Sequence, residues 1–268
     1  MKNLIILISL IILLTSCQEV IDVDLNSSSP QVVIEGNINS NNKEAIVKIS
    51  YSINFDETNN FPKIENYLVK IKDNINEYIL DEIEPGIYQK DIPQIETGAE
   101  FELLVEGNQQ QFSSKSSLQP YVNFDSLIVI KNTTSTSGPG SGGKKGFNYE
   151  VKVRYKDPIG QKNYYRFVLS LNGDVSDNNY VYDDRLTDGK SIETTLLGIN
   201  NKFEPGDTIK IEMQTIDRNV YEYFKGFGTN FGKFQPSSTP ANPLNNIIGS
   251  KLGYFNVHTS QIKSFILP

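Results

Sequence analysis

The chain has 268 residues, a formal net charge of −7 and a single cysteine. This acidic balance argues against recognition of nucleic acid or anionic lipid through charge, and one cysteine excludes internal disulfides. The chain contains 14 Tyr, 14 Phe and no Trp, and aromatic and β-branched residues between Asn, Gly and Pro indicate β structure. Its length is enough for one large or two medium domains.

Residues 1–16 have the pattern of a secretory signal peptide. Lys2 precedes an apolar run from Leu4 to Leu14, which is too short for a bilayer core that needs about 20 residues. Small residues then lead to Cys17, in a pattern that resembles the bacterial lipobox. We therefore expect Cys17 to carry acyl chains such as palmitate and to anchor the protein in a membrane. The alternative is an ordinary signal peptide followed by a stray cysteine.

Residues 17–30 predict a lipidated acidic tether. Glu19, Asp22 and Asp24 follow the cysteine closely, and this arrangement resembles the surface-export signal of Bacteroidota lipoproteins. We expect an outer-membrane location with the protein facing the cell surface. The periplasmic face of the same membrane, with a tether that is acidic only to stay solvated, is the alternative.

Residues 31–119 predict an N-terminal β-sandwich of the Ig-like or transthyretin-like kind. Apolar and polar residues alternate in short runs such as Ala45–Ile53 and Phe101–Val105, and turn signals such as Pro85-Gly86 separate them. About seven short strands in about 90 residues are typical of a sandwich.

Residues 120–268 predict a second β-rich domain of the sandwich type. It contains a flexible loop, residues 132–146, composed mostly of Thr, Ser, Gly and Lys. Val151–Tyr155 and Tyr165–Leu171 alternate in polarity on either side of Asp157-Pro158-Ile159-Gly160. This pattern predicts a hairpin in an all-β domain.

One segment, about 217–227, has helical spacing. Val220, Tyr223, Phe224 and Phe227 recur at intervals that place them on one face, and Asp217 is positioned to cap the N-terminus. We expect a short amphipathic helix that closes one end of the sandwich rather than a ligand site.

Residues suited to catalysis are sparse. His258 is the only histidine, which removes most catalytic triads and histidine metal sites, and we expect a structural or surface role for it. Gly138, Gly140 and Gly143 spell the GxGxxG pattern, but that motif needs a strand before it and a helix after it. We predict no enzymatic activity, no cofactor and no metal site.

The densest polar cluster of the second unit is Asp183-Asp184-Arg185, with Asp188-Gly189 just after it. We favour a turn in which Asp side chains accept hydrogen bonds from backbone amides. A calcium site, which needs about six to eight oxygens, is the alternative. A glycosidase would need two carboxylates that flank a cleft, which sequence alone does not establish.

Several strings along nearly the whole mature chain carry a family resemblance. They include Glu19-Val20-Ile21-Asp22-Val23-Asp24-Leu25, Gln31-Val32-Val33-Ile34-Glu35-Gly36, Tyr164-Tyr165-Arg166-Phe167, Pro205-Gly206-Asp207-Thr208, Tyr221-Glu222-Tyr223-Phe224, Pro240-Ala241-Asn242-Pro243 and Leu252-Gly253-Tyr254-Phe255. In this order they resemble Bacteroidota outer-membrane lipoproteins of the domain-of-unknown-function family 4249. The resemblance implies an all-β lipoprotein, often encoded beside a TonB-dependent transporter, and it implies no established activity and no catalytic residues. The loop at 132–146 departs from the family pattern.

The sequence thus predicts a non-enzymatic accessory subunit of a TonB-dependent transporter or an outer-membrane assembly complex, held in the lipid by Cys17. We expect the loops 132–146 and 235–249 to contact the partner. Phe231, Phe234 and Asn242 are the candidate anchors, unless these aromatics pack beneath their loops.

The alternative is a stand-alone surface module that binds glycan or peptide. Tyr180 and Tyr182 would then form an aromatic platform beside Asp183 and Asp184.

Overall fold

The computed structural model describes residues 29–53, 61–132, 148–196, 203–227, 243–250 and 252–268. The first half of the chain contains the strands β1 (Val32–Asn39), β2 (Glu44–Tyr51), β3 (Leu68–Lys72), β4 (Glu77–Ile79), β5 (Asp81–Glu84), β6 (Ile87–Asp91), β7 (Glu100–Gly107) and β8 (Gln110–Ser117). The second half contains β9 (Phe124–Asn132), β10 (Asn148–Lys156), β11 (Tyr164–Leu171), β12 (Asp174–Val175), β13 (Tyr180–Asp183), β14 (Ser191–Leu196), β15 (Thr208–Ile216), helix α1 (Arg218–Gly226), β16 (Ile247–Ile248) and β17 (Leu252–Ile266).

The strands form three sheets and two sandwiches. The large sheet has nine strands in the order β12-β11-β15-β17-β1-β2-β6-β5, with β13 also paired to β11. A five-stranded sheet, β16-β8-β7-β3-β4, packs on one half of it, and a three-stranded sheet, β14-β10-β9, packs on the other half. The prediction of an all-β sandwich fold is confirmed.

Strand β17 belongs to both sandwiches. Leu252–His258 pair in parallel with β1, and Thr259–Ile266 pair antiparallel with β15. Phe255 and Val257 therefore lie in the first core. The predicted division assigned all of residues 120–268 to the second domain, whereas the first half of β17, Leu252–His258, pairs with β1 of the first sandwich. The pairing partner of a strand, rather than its position in the chain, decides which core it completes.

The predicted hairpin between β10 and β11 is wrong. Strand β10 pairs with β9 and β14, whereas β11 pairs with β12, β13 and β15. The two strands face each other across the second core, where the rings of Tyr155 and Tyr165 lie 4.7 Å apart. The turn between them thus carries the chain from one sheet to the other. Alternating polarity fits both arrangements because it reports only that one face of each strand is buried.

The predicted helix is confirmed as α1. The side chain of Asp217 accepts a hydrogen bond from the backbone N–H of Val220 at 3.0 Å and so caps the N-terminus. Val220, Tyr223 and Phe224 are buried against the large sheet. In the part of the chain that the structure describes, no helix has the length and apolar character of a membrane span.

Strand β17 carries a pair of buried polar residues, Asn256 and His258, in the part where the two sandwiches meet. Asn256 and His258 alternate with core residues of that strand and so point to the opposite face of the sheet. Asn256 Nδ2 lies 3.1 Å from His258 Nδ1. Because an amide nitrogen only donates, Nδ1 is the acceptor and the neutral ring carries its proton on Nε2. His258 is only 3% exposed, and it therefore has a structural role.

Candidate functional site

Two loops of the second sandwich are joined by reciprocal hydrogen bonds. The carboxylate of Asp157, after β10, accepts the backbone N–H of Gly189 at 3.1 Å. The carboxylate of Asp188 accepts the backbone N–H of Gly160 at 2.7 Å. We call residues 157–162 and 184–190 the clamped loops, because each loop contributes one carboxylate and one amide to the connection.

Asp157 also ties the clamped loops to the core. It is buried, and the hydroxyl of the buried Tyr165 donates to its Oδ1. Burial and this hydrogen bond to a carboxylate both raise the pKa of Tyr165 above its ordinary value. Tyr165 therefore remains protonated and acts as a permanent donor to Asp157.

Removing this carboxylate is expected to cost stability. The substitution Asp157→Ala leaves the buried hydroxyl of Tyr165 without its acceptor, and we expect a loss of about 2 kcal/mol in the free energy of unfolding. Urea denaturation followed by circular dichroism measures it. Asp188→Ala is the matched control, because Asp188 is exposed and its loss uncovers no buried group. Equal costs for the two variants would contradict the anchoring role of Asp157.

Asp184 organises the second loop, as the sequence predicted for a turn held by Asp side chains. Its carbonyl accepts the N–H groups of Thr187 and Asp188 at 2.8 and 2.9 Å. Its carboxylate accepts the backbone N–H of Asn163 at 2.8 Å, which connects the turn to the start of β11.

The carboxylates of Asp157, Asp184 and Asp188 are the described side chains that could offer oxygens to a cation. One oxygen from each lies within 4.8 Å of the others. Each carboxylate already accepts a backbone N–H, and three such ligands are fewer than the roughly six oxygens that calcium requires. The hydrogen bonds that these three carboxylates accept connect the clamped loops to each other and to the start of β11.

A cleft of about 160 Å³ lies between helix α1 and the clamped loops. The rings of Tyr164 and Tyr221 lie 4.9 Å apart beside it. Both basic and acidic side chains line it, and the residues that line it are Lys162, Tyr164, Asp183, Asp184, Arg185, Arg218, Tyr221, Glu222 and Lys225.

Among the acidic residues that line the cleft, the carboxylate of Asp183 accepts the most hydrogen bonds. The hydroxyl of Tyr221 and Nε of Arg185 each donate to its Oδ2 at 2.8 Å. Burial alone would raise the pKa of Asp183, but these hydrogen bonds outweigh burial and hold the pKa below its ordinary value. Asp183 is therefore ionised and satisfied within the protein.

Two apolar side chains project from the clamped loops. Ile159 is 82% exposed and Leu186 is 84% exposed. The loops touch at their base, where a Cβ on Gly189 would lie 3.1 Å from Cβ of Ile159. Because hydrogen bonds hold both loops, the two side chains are presented on a rigid support.

The structure places the residues predicted as site candidates in different environments. Asp183 and Asp184 line the cleft. Tyr180 is 4% exposed within the second core, and Tyr182 packs against the same core beside Phe167. The predicted aromatic platform is therefore wrong, because β13 turns these rings toward the sandwich interior. Other candidates lie outside the described residues, and these are Cys17, Phe231, Phe234, Asn242 and nearly all of the loop 132–146.

Sequence reasoning missed four residues of this region. Ile159 and Leu186 are the exposed apolar residues of the clamped loops, and Lys162 and Arg218 are basic residues that line the cleft. One signal was present, since an isoleucine in the turn Asp157-Pro158-Ile159-Gly160 occupies a position where polar residues are common. No signal in the sequence brought residues 162, 186 and 218 together.

Comparison with known proteins identifies one family. The model of a domain of unknown function, DUF4249, matches residues 18–264. A search of curated proteins found no match. Among solved structures, the chain is similar to the selenomethionine-substituted chicken interferon gamma receptor alpha chain at 10% identity, covering 70% of this chain and 89% of that one with a TM-score of 0.20. That score is too low to support any conclusion.

Proposed function

The chain belongs to the DUF4249 family, and we propose that it is a lipid-anchored, non-enzymatic accessory subunit of an outer-membrane complex. Its partner would be a TonB-dependent barrel protein. The clamped loops and the adjacent cleft would form the contact surface.

The observation that carries this proposal is the rigid presentation of Ile159 and Leu186 on the clamped loops, which also contribute side chains to the charged cleft. Binding normally costs entropy when loops and side chains become ordered at an interface. Here the reciprocal bonds of Asp157 and Asp188 have ordered both loops in advance. Loops held by a rigid scaffold are where binding residues concentrate.

The leader and tether support attachment to a membrane. Acylation at Cys17 would hold the protein at the bilayer, and the residues 17–30 span at most roughly 50 Å when fully extended. That length would let the sandwiches reach over a neighbouring barrel protein. A non-enzymatic role agrees with the position of His258, which is buried at the junction of the sandwiches.

Affinity purification of the tagged full-length protein from solubilised outer membranes tests the proposal. We expect a barrel protein to co-purify with the wild type. The double variant Ile159→Asp, Leu186→Asp should reduce its recovery at least about tenfold, because burying a carboxylate at an interface is unfavourable.

The matched control is Ile75→Asp. Ile75 is 90% exposed in the first sandwich, in the turn between β3 and β4, and this variant should recover the partner as the wild type does. If no barrel protein co-purifies with the wild type, the proposed function is wrong. If the double variant recovers it fully, the clamped loops are not the contact surface.

A further inference from the structure

We infer that the cleft beside α1 recognises an acidic segment of a protein partner. This inference rests on the proposed function for the identity of the partner. It adds which side chains of the partner the cleft and its neighbouring loops would bind: carboxylates next to apolar side chains.

Two bases of the cleft, Lys162 and Arg218, have no ion-pair partner within the described ranges, whereas its acids already accept hydrogen bonds or form ion pairs within the protein. Lys162 and Arg218 are both exposed, and among the described residues neither has a carboxylate oxygen within 4 Å. Arg185 contacts Asp183 through Nε, and its side chain is still 73% exposed. This exposed guanidinium lines the same cleft as Lys162 and Arg218.

The carboxylates of the cleft accept bonds from within the protein. Asp183 accepts from Tyr221 and Arg185, and Asp184 accepts from the backbone of Asn163. Glu222 lies 3.8 Å from Lys225. An incoming ligand thus meets unpaired positive charge in a chain whose net charge is −7, which favours a negatively charged group.

Arg218 has no evident role in folding. It is the first residue of α1, and the first turn of this helix contains no acidic residue. A cation at this end is disfavoured by the helix dipole, which prefers negative charge there. A residue that opposes a local folding preference without a compensating contact is expected at a functional site.

The neighbouring apolar residues indicate that the occupant is a protein. Ile159 and Leu186 belong to the same clamped loops as Lys162 and Arg185. A partner segment with carboxylates beside leucine-like side chains would match both features at once. A free anion or an acidic polysaccharide would leave the two apolar side chains in water.

The variant Arg218→Glu separates binding from folding. Glutamate at the first helical position interacts favourably with the dipole, so the thermal unfolding midpoint should stay the same or rise. Binding should weaken by at least about tenfold, equivalent to about 1.4 kcal/mol. Lys63→Glu, an exposed site in the first sandwich with the same change of charge, is the matched control and should bind as the wild type does.

The probe is a short fluorescein-labelled peptide of repeating Asp-Leu-Glu, followed by fluorescence anisotropy with the full chain. We expect binding that weakens at high salt and in Arg218→Glu, and no binding of the matching Lys-Leu-Lys peptide. Equal affinity of wild type and Arg218→Glu for the acidic peptide overturns the inference. So does binding of oligogalacturonate without binding of the acidic peptide.

Failure of this inference is distinguishable from failure of the proposed function. If a barrel protein co-purifies equally with wild type and Arg218→Glu, the subunit role stands and the acidic recognition is wrong. If the peptide binds as expected but no barrel protein co-purifies, the recognition chemistry stands and the proposed partner is wrong.

Discussion

Replacing Gly253 by alanine is expected to lower the free energy of unfolding by about 4 kcal/mol. Gly253 has a φ of +112°, and it lies opposite Ile34 where β17 pairs in parallel with β1. A Cβ at this position would lie 2.0 Å from the carbonyl oxygen of Ile34 and 2.7 Å from its nitrogen. Because the obstruction is backbone, the two strands must separate. Urea denaturation monitored by circular dichroism measures the loss.

Gly173→Ala provides the control for backbone strain alone. Gly173 has a φ of +98°, and nothing lies within 4 Å of the Cβ that alanine would add. We expect a cost of about 1 kcal/mol, which is the penalty of placing a side chain in this region of backbone conformation. If the two glycine variants cost the same, the close approach of β17 and β1 is contradicted.

Acidification from pH 6.5 to pH 4 is expected to remove about 3 kcal/mol of stability through His258. Burial is the main cause that lowers the pKa of this histidine from 6.5 to about 4; the carboxylate of Glu212 opposes this shift in part, and the positive charge of Arg166 adds to it. Between these two values the unfolded chain binds a proton that the folded chain does not. The contribution of His258 to the free energy of unfolding is therefore fully present above pH 6.5 and is lost as the pH falls through about 4.

The chain makes this pH dependence simple to assign. His258 is its only histidine, and histidine is the side chain whose ordinary pKa lies in this range. The variant His258→Asn keeps an acceptor near Nδ1 for the amide of Asn256 and cannot be protonated. Urea denaturation at a series of pH values should show a flatter dependence for this variant. An unchanged slope between pH 6.5 and pH 5 would contradict the role of His258.

Local features of the sequence correctly predicted local structure. The alternation in Ala45–Ile53 and Phe101–Val105 corresponds to β2 and β7, and helix α1 follows its predicted cap at Asp217. Each of these features depends on residues a few positions apart, and these determine which face of a strand or helix is apolar. The sequence also predicted the Asp-rich turn at residue 184, because an Asp carboxylate can reach nearby amides.

Long-range features could not be predicted in this way. The link from Asp157 to Gly160 has the composition of a hairpin turn, yet it crosses between two sheets. The rings of Tyr180 and Tyr182 lie beside charged residues in sequence, yet β13 buries them. In both cases the sequence indicated that one face of the strand is buried. It did not indicate which element covers that face, because this depends on strands that are far away in the chain.

The sequence by itself predicted an all-β fold with a capped helix near residues 217–227, as the described residues show, and it predicts a leader over residues 1–16, directly before Cys17. Only the tertiary structure decided that β17 completes both sandwiches and that Lys162, Arg185 and Arg218 meet at one cleft. The physical reason is that periodicity and capping act over a few residues. Sheet order depends on which strands bury each other's apolar faces, and this arrangement brings together residues that are far apart in the chain.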